Sequence, residues 1–311
     1  MKRITAILLT LVVLVGFSGI QSVKAADNET ESINEKFGLP IVVYGETLTT
    51  EQKQEVQKLL EVKDTSQVEE IIATGEDLVN YIEGEDRNAR MFSSAKITRK
   101  EKGEGLKVDI VTPANITEVT NSMYANALLT AGIENATVQV ASPIKVSGHS
   151  ALVGIYKAYD EGGEKLDTVR MEVANEELNV ATELAKEEGM NQEKVSELLT
   201  EIKKEMADQN PATKEEVEKI VEEKLKSLNI ELSPEDRQLL IDLFEKMRSI
   251  NIDFDNVKQQ LEDLTSEIQS TIKDLVKDEG FGEKVSNFFS SVIQAISDFF
   301  TSVANFFKNL I

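Results

Sequence analysis

The chain has a single histidine, and this residue is the first to consider for chemistry. His149 lies in the run Val146-Ser147-Gly148-His149-Ser150-Ala151-Leu152. A nucleophile elbow needs the pattern Gly-x-Ser-x-Gly, and Leu152 stands where the second glycine would be. His149 and Ser150 are immediate neighbours, so they cannot form a proton relay. We therefore predict that Ser147 or Ser150 caps a helix at a turn that Gly148 permits, with an anion at that helix N-terminus as the alternative.

Closely spaced acidic residues are a second possible source of chemistry. Asp253 and Asp255 form one such pair, and Glu83, Glu85 and Asp86 form a cluster. Carboxylates at this spacing can serve as general acid and base or bind calcium. With 56 acidic residues such groups arise by chance, and no complete calcium-loop spacing occurs. We interpret them as solvated charge and predict no catalytic residue, no cofactor and no metal ligand.

Composition excludes several classes of protein. The 311 residues include 34 basic and 56 acidic side chains, for a formal net charge of −22. Such a charge repels nucleic-acid phosphates, so we predict no nucleic-acid partner. The absence of cysteine rules out disulfides, thiol catalysis and thiolate metal sites. A hydrophobic fraction of 41% is enough for a folded core.

The N-terminus has the pattern of a secretory signal. Lys2 and Arg3 precede an apolar run from Ile4 to Phe17, and Val23-Lys24-Ala25 places small residues at a cleavage site after Ala25. The alternative is an uncleaved N-terminal anchor. We predict a signal peptide over 1–25, a flexible acidic leader over 26–36, and an extracellular or cell-envelope-associated protein.

The elements that would position the histidine belong to an α/β domain over residues 37–175. Ile41 to Tyr44 is typical of a short buried strand, and Thr49 with Gln52 of a helix-capping box. We predict that 89–100 and 106–112 pair as a hairpin across Lys102-Gly103-Glu104-Gly105. Thr117 is the expected cap of a helix that ends at Gly132. A strand over 137–141 and a helix from Ser150 follow, which favours a crossover in a small mixed sheet.

Beyond Asn175 the composition indicates helices only. We predict a helix over 176–188, a second over 192–208, a third opened by Thr213 with Glu216, a fourth opened by Ser233 before Pro234, and a fifth over 254–277. Each carries one apolar stripe, which must pack against another helix or a partner. The fold class is therefore an α+β or α/β domain, then an all-α arm or bundle over 176–278, either a helical hairpin bundle or a partner-binding coiled coil.

The last segment, 281–311, is rich in phenylalanine and differs from the rest. Apolar residues recur in steps of three and four opposite a Ser, Asn and Gln face, which predicts an amphipathic helix. Its apolar face would contact a membrane surface, a second chain or the protein's own helices. The predicted contact residues are Phe288, Phe289, Val292, Ile296, Phe299, Phe300, Val303, Phe306, Phe307 and Leu310.

Several runs carry a family resemblance: Tyr44-Gly45-Glu46-Thr47-Leu48-Thr49 with Gln52, Thr74-Gly75-Glu76-Asp77 with Tyr81-Ile82, Asn115-Ile116-Thr117, 123–133, 140–143, 146–148, Ala151-Leu152 and 154–158. On these residues the chain resembles the YpuA-like family of secreted Gram-positive bacterial proteins with a domain of unknown function. The resemblance implies an envelope-associated protein and no established activity. His149 departs from the family motif, which has a threonine-like residue there.

Two classes of function remain open. The first is a non-enzymatic envelope protein that binds a surface, an envelope protein or a polymer, with the tail acting in membrane-surface association or self-association. The second is an extracellular hydrolase that acts on a wall polymer through acidic residues, which would need two carboxyl groups of unequal pKa in one cleft. A calcium-dependent adhesive module is a further hypothesis. No motif nominates a carboxylate pair, so we favour the non-enzymatic protein.

Overall fold

The computed structural model describes residues 36–82, 86–250, 252, 254 and 257–277. Within these ranges the chain forms a five-stranded mixed sheet and a series of helices, as the predicted fold class requires. The elements follow in the order β1 (Ile41–Gly45), α1 (Thr50–Leu59), β2 (Glu69–Ala73), α2 (Gly75–Tyr81), β3 (Ser94–Arg99), β4 (Leu106–Ile110), α3 (Asn121–Ala131), β5 (Ala136–Ala141), α4 (Ser150–Glu161), α5 (Thr168–Leu184), α6 (Gln192–Gln209), α7 (Lys214–Ser227), α8 (Pro234–Ser249) and α9 (Lys258–Lys277).

The strand order in the sheet is β2-β1-β3-β5-β4. The outer pairs β1/β2 and β4/β5 are parallel, and central β3 is antiparallel to both of its neighbours. Four strands therefore point the same way, and their carboxyl ends meet at one edge of the sheet. Helix α1 connects β1 to β2, and α3 connects β4 to β5, so the predicted crossover is confirmed in the second of these units.

The predicted hairpin between 89–100 and 106–112 is wrong. Strand β5 lies between β3 and β4, so the two never pair. The connection spans a gap of one strand, about 10 Å, which its six residues bridge easily. The Asn135 side chain accepts the N–H groups of Gly103 at 2.8 Å and Gly105 at 3.2 Å, and so ties this connection to the start of β5.

Helix ends match most of the predicted caps. Capping boxes form at Thr49 and Thr213, Ser233 caps α8 with proline in its first turn, and Gly132 ends α3 at φ 93°. The cap predicted at Thr117 is wrong because Thr120 accepts the Met123 N–H instead.

The N-terminus of α4 also differs from its prediction. His149 occupies the cap position and its side chain makes no capping hydrogen bond, so the prediction that Ser147 or Ser150 caps this helix is wrong. The turn itself is as expected, since Gly148 adopts φ +111°.

Most of the core is one continuous hydrophobic cluster that includes strand residues such as Ile41 and helix residues as far as Ile272. A smaller cluster on the other face of the sheet lies under α1 and includes Val42, Tyr44 and Val56. The helix predicted over 176–188 begins earlier, at Thr168, because Asp167 accepts the Arg170 N–H and caps it. The domain boundary predicted at residue 175 falls within this helix.

A buried ion pair joins α5 to α6. Lys203 Nζ lies 2.5 Å from Glu177 Oε1, and the two side chains are 0% and 1% exposed. Lys203 also donates to the Asn126 backbone carbonyl at 2.9 Å, and Thr130 Oγ1 donates to Glu177 Oε2 at 2.6 Å. Asn126 and Thr130 both belong to α3, so the pair holds three helices together.

The first prediction concerns this pair. The Lys203→Met variant leaves the Glu177 carboxylate buried without its cation and should lower the free energy of unfolding by about 3–5 kcal/mol. The double variant Lys203→Met/Glu177→Gln has no uncompensated charge, so it should be more stable than Lys203→Met alone. Chemical denaturation followed by circular dichroism measures both effects.

The matched control is Lys214→Met. Lys214 pairs with Asp242 at 3.0 Å, but the two side chains are 47% and 57% exposed. The loss of this surface pair should cost much less than the loss of the buried pair, because solvent screens both charges. An equal cost for the two lysine variants would contradict the importance of the buried pair.

Candidate binding cleft

A cleft of about 450 Å³ opens at the edge of the sheet where the parallel strands end. One wall is the segment 89–92, which leads into β3. The other is the segment 144–150, between β5 and α4. Open α/β sheets commonly place ligand crevices outside the carboxyl ends of their strands, so this position is the first one to test for binding.

The wall formed by 144–150 is held in one conformation by hydrogen bonds from α3 and from the chain that precedes it. Tyr124 Oη donates to the Gly148 carbonyl at 2.5 Å, and the Thr117 N–H donates to the Val146 carbonyl at 3.0 Å. Just before this wall, Asn115 Nδ2 donates to the Ser142 carbonyl at 2.8 Å. The wall is therefore preorganised rather than a free loop.

The opposite wall is tied to the end of β1. The Met91 N–H donates to Thr47 Oγ1 at 2.9 Å, and the Thr47 N–H donates to the Met91 carbonyl at 3.0 Å. The backbone approaches so closely that a Cβ at Gly45 would lie 2.2 Å from the Met91 carbonyl oxygen. Only glycine fits that position, so the residue type itself fixes how near this wall lies to the sheet.

His149 lines the cleft, and its hydrogen bond to Thr182 favours one tautomer. Its Nε2 lies 3.2 Å from Thr182 Oγ1, which is itself 3.0 Å from the Asn179 carbonyl. A carbonyl can only accept, so the threonine hydroxyl donates there and accepts from His149 Nε2–H. This arrangement favours the tautomer with the proton on Nε2, which leaves the Nδ1 lone pair available.

The pKa of His149 is lowered from 6.5, chiefly because burial disfavours the charged ring. Glu118 opposes this shift and Lys186 adds to it. The ring is therefore neutral at pH 7 and can accept a hydrogen bond through Nδ1. Ser147 and Ser150 also line the cleft, but within the described residues neither hydrogen-bonds to the imidazole, so no nucleophile and base are paired.

The described lining of the cleft is basic, whereas the whole chain is acidic. Arg90 and Lys145 line it, and none of its described lining residues is acidic. The Arg90 guanidinium lies 5.8 Å from the centre of the Phe92 ring, which holds the cation beside an apolar surface. Leu78, Ile82 and Ile144 add further apolar surface. The arrangement suits a ligand with an anionic group and an apolar part.

The sequence pointed to only part of this cleft. His149, Ser147 and Ser150 were singled out, whereas Arg90, Phe92 and Lys145 were missed because they stand in no recognisable motif. The ten predicted contact residues of the tail lie outside the described residues. So do Asp253, Asp255, Glu83 and Glu85, and the structure describes no carboxylate pair built from them.

A second cavity, of about 150 Å³, lies between β4, α3 and α9. Glu104, Asp263 and Glu267 line it, but no group of three or more His, Cys, Asp or Glu side chains in the described ranges is arranged to hold a metal ion. None of the helices in those ranges is both long enough and apolar enough to cross a bilayer.

The fold and its cleft define a mixed-sheet domain continuous with a helical region, and sequence comparison identifies the family. The family described as "Protein of unknown function (DUF1002)" matches residues 44–264, and this chain belongs to it. The "Uncharacterized protein YpuA" of Bacillus subtilis (strain 168) is 34% identical over 266 residues, which cover 84% of this chain and 89% of that protein. No solved structure matches the chain.

The second prediction is that His149 binds its proton below pH 6.5. Because this is the only histidine, its ring resonances in a tag-free protein can be followed by NMR without assignment. The unfolded chain binds the proton nearer pH 6.5, so the contribution of His149 to stability is present at pH 7 and is lost as the pH falls through the folded-state pKa. The urea-unfolded protein is the reference, and a folded-state pKa at or above its value would contradict burial of the neutral ring.

The third prediction tests the wall at Gly148. At φ +111°, an alanine Cβ there would lie 2.8 Å from both Ile116 Cγ2 and Tyr124 Oη. Gly148→Ala should therefore cost backbone strain of about 1–2 kcal/mol and a further 1–3 kcal/mol, roughly, from overpacking. The midpoint of thermal or chemical unfolding measures the loss.

Gly189→Ala is the control for backbone strain alone. Gly189 has φ +83° and nothing within 4 Å of the added Cβ. It should lose only the first contribution. If both variants lose the same stability, the segment 144–150 is not held as the hydrogen bonds indicate.

Proposed function

We propose that this protein is a secreted, non-enzymatic binding protein of the cell envelope. In this proposal the cleft recognises an envelope partner or polymer through an anionic group, and the phenylalanine-rich tail holds the protein at a membrane surface or in an assembly of like chains. The observation that carries the binding role is the cleft, with rigid walls, two cations and a neutral imidazole.

The chemistry of the cleft favours recognition over bond cleavage. Polysaccharide hydrolysis by paired carboxyl groups needs two acids across one site. The described lining residues of the cleft include none. Among the described residues, the hydrolase hypothesis would rest on the second cavity, whose volume of about 150 Å³ is below the usual size of a ligand pocket.

Support for surface attachment comes from sequence alone. A secretory pattern at 1–25 would deliver the protein across the membrane, and 281–311 supplies an apolar face. Few lysines or arginines accompany that face, so attachment would depend on apolar burial more than on anionic lipid. A second chain would bury the same face equally well. Self-association would raise the mass of the protein in solution, whereas membrane attachment would not.

The fourth prediction is that co-sedimentation distinguishes the contribution of the tail to binding from the contribution of the cleft. Three proteins are compared: residues 26–311, residues 26–280, and residues 26–311 with Arg90→Glu/Lys145→Glu. The probes are phosphatidylcholine vesicles, the same vesicles with phosphatidylglycerol, and an insoluble Gram-positive wall preparation. Removal of 281–311 should abolish sedimentation with vesicles or reduce the mass measured by light scattering, whereas the charge reversal should reduce only binding to the wall.

The matched control is Lys219→Glu/Lys226→Glu on α7, where both lysines are exposed and do not line the cleft. It makes the same change in net charge and should leave wall binding unaltered. Wall binding that all variants share, or no binding by the intact protein together with an unchanged mass on tail removal, would contradict the proposal.

A further inference from the structure

Helix α9 packs on α6 along a seam that contains buried carboxyl groups. The apolar side of the seam is ordinary: Leu261, Leu264 and Ile268 are buried on α9. Its polar side is unusual, because Glu193 and Glu197 stand one turn apart on α6 and face α9. Glu197 is 1% exposed.

Each of these two carboxyl groups has an oxygen that lacks a partner. Within the described residues, Oε2 of Glu193 and Oε2 of Glu197 are buried and accept no hydrogen bond. A buried carboxylate with an unsatisfied oxygen is costly, whereas the protonated acid is neutral and far cheaper to bury. The geometry therefore favours proton binding when α9 is docked.

We propose that the seam between α6 and α9 is a pH-sensitive contact, which closes while Glu193 and Glu197 carry protons and loosens when they ionise.

The charges around the seam do not neutralise these groups. Burial is the main cause that raises the pKa of Glu197, to about 7, and Glu201 raises it further. Gln269 on α9 and the α6 cations Lys204 and Lys194 lower the pKa of Glu197, but by less.

Burial likewise raises the pKa of Glu193, where Glu267 on α9 adds to the shift and Ser122 on α3 opposes it.

The other helices packed on α6 bring no spare cation to the seam. Helix α3 contains no lysine, arginine, aspartate or glutamate. Lys224 of α7 already forms ion pairs with Glu205 at 2.5 Å and Glu201 at 3.8 Å. Glu177 of α5 is neutralised by Lys203.

The direction of the pH effect follows from linkage. A carboxyl group with a raised pKa in the closed state binds more protons there than in the open state, so closure is favoured at low pH and weakens as the pH rises. With Glu197 moving from 4.5 when open to about 7 when closed, the opening equilibrium should rise about tenfold between pH 6 and pH 8.

Loosening α9 would have consequences at both ends of that helix. Gln260 Oε1 accepts the Leu106 N–H at 3.0 Å, so α9 covers the edge of β4 while it is docked. In sequence, the predicted tail at 281–311 comes soon after α9, so loosening α9 would free more of the chain that precedes the tail.

The fifth prediction is tested by hydrogen exchange measured by mass spectrometry. Protection of α9 amides, corrected for intrinsic rates and divided by that of α3, should fall about tenfold in residues 26–311 from pH 6 to pH 8. Glu197→Gln keeps the shape of the side chain but cannot ionise, so it should remove most of this fall. Glu193→Gln should remove a smaller part.

Glu262→Gln is the matched control, since Glu262 lies on the exposed face of α9. It should behave like the unaltered protein. A protection ratio in the unaltered protein that does not change with pH would overturn the proposal whether or not any variant folds. A fall that persists in Glu197→Gln would assign the effect to other groups and would equally overturn it.

Discussion

The interaction on which the rest of the structure depends is the ion pair between Lys203 and Glu177. Neither side chain has contact with water, so each charge has lost its hydration and is stable only beside the other. Burial lowers the pKa of Lys203, and Glu177 opposes that shift by holding the ammonium proton. A misplaced helix would separate two charges in a low-dielectric interior, so the pair specifies how α5 and α6 align.

The same pair determines the position of the cleft through α3. Asn126 and Thr130 bind the pair from one side of α3, and Tyr124 on the same helix binds the Gly148 carbonyl. The helix is buried along almost its whole length and has no polar face to spare. The buried ion pair therefore fixes the orientation of α3, and α3 in turn fixes the wall of the cleft. The pair and the cleft lie in different parts of the chain.

Sequence reasoning worked best where the determinant is local. Capping boxes at Thr49 and Thr213 and the left-handed Gly132 depend on residues within one turn, so their chemistry can be read directly. The pairing of β3 with β5 is different, because it depends on long-range packing and only a connection of suitable length was visible beforehand. Arg90 and Lys145 were missed for the same reason: two isolated basic residues far apart in sequence become a site only when the sheet edge brings them together.

Helix α6 shows two opposite ways of burying charge. On the side that faces α3 and α5, Lys203 meets a matched carboxylate, and Asn126 and Thr130 of α3 complete the hydrogen bonds of the pair, which makes that contact rigid at any pH near neutrality. On the side that faces α9, Lys204 and Lys194 offset the burial of Glu197 only in part, so the protonated carboxyl group is favoured there. In a chain with 56 acidic residues, a glutamate in solvent has a lower free-energy cost than a glutamate buried in this seam. The two carboxyl groups make that seam less stable and also make it sensitive to pH. The rigid ion pair between Lys203 and Glu177, on the opposite side of α6, confines the change to α9.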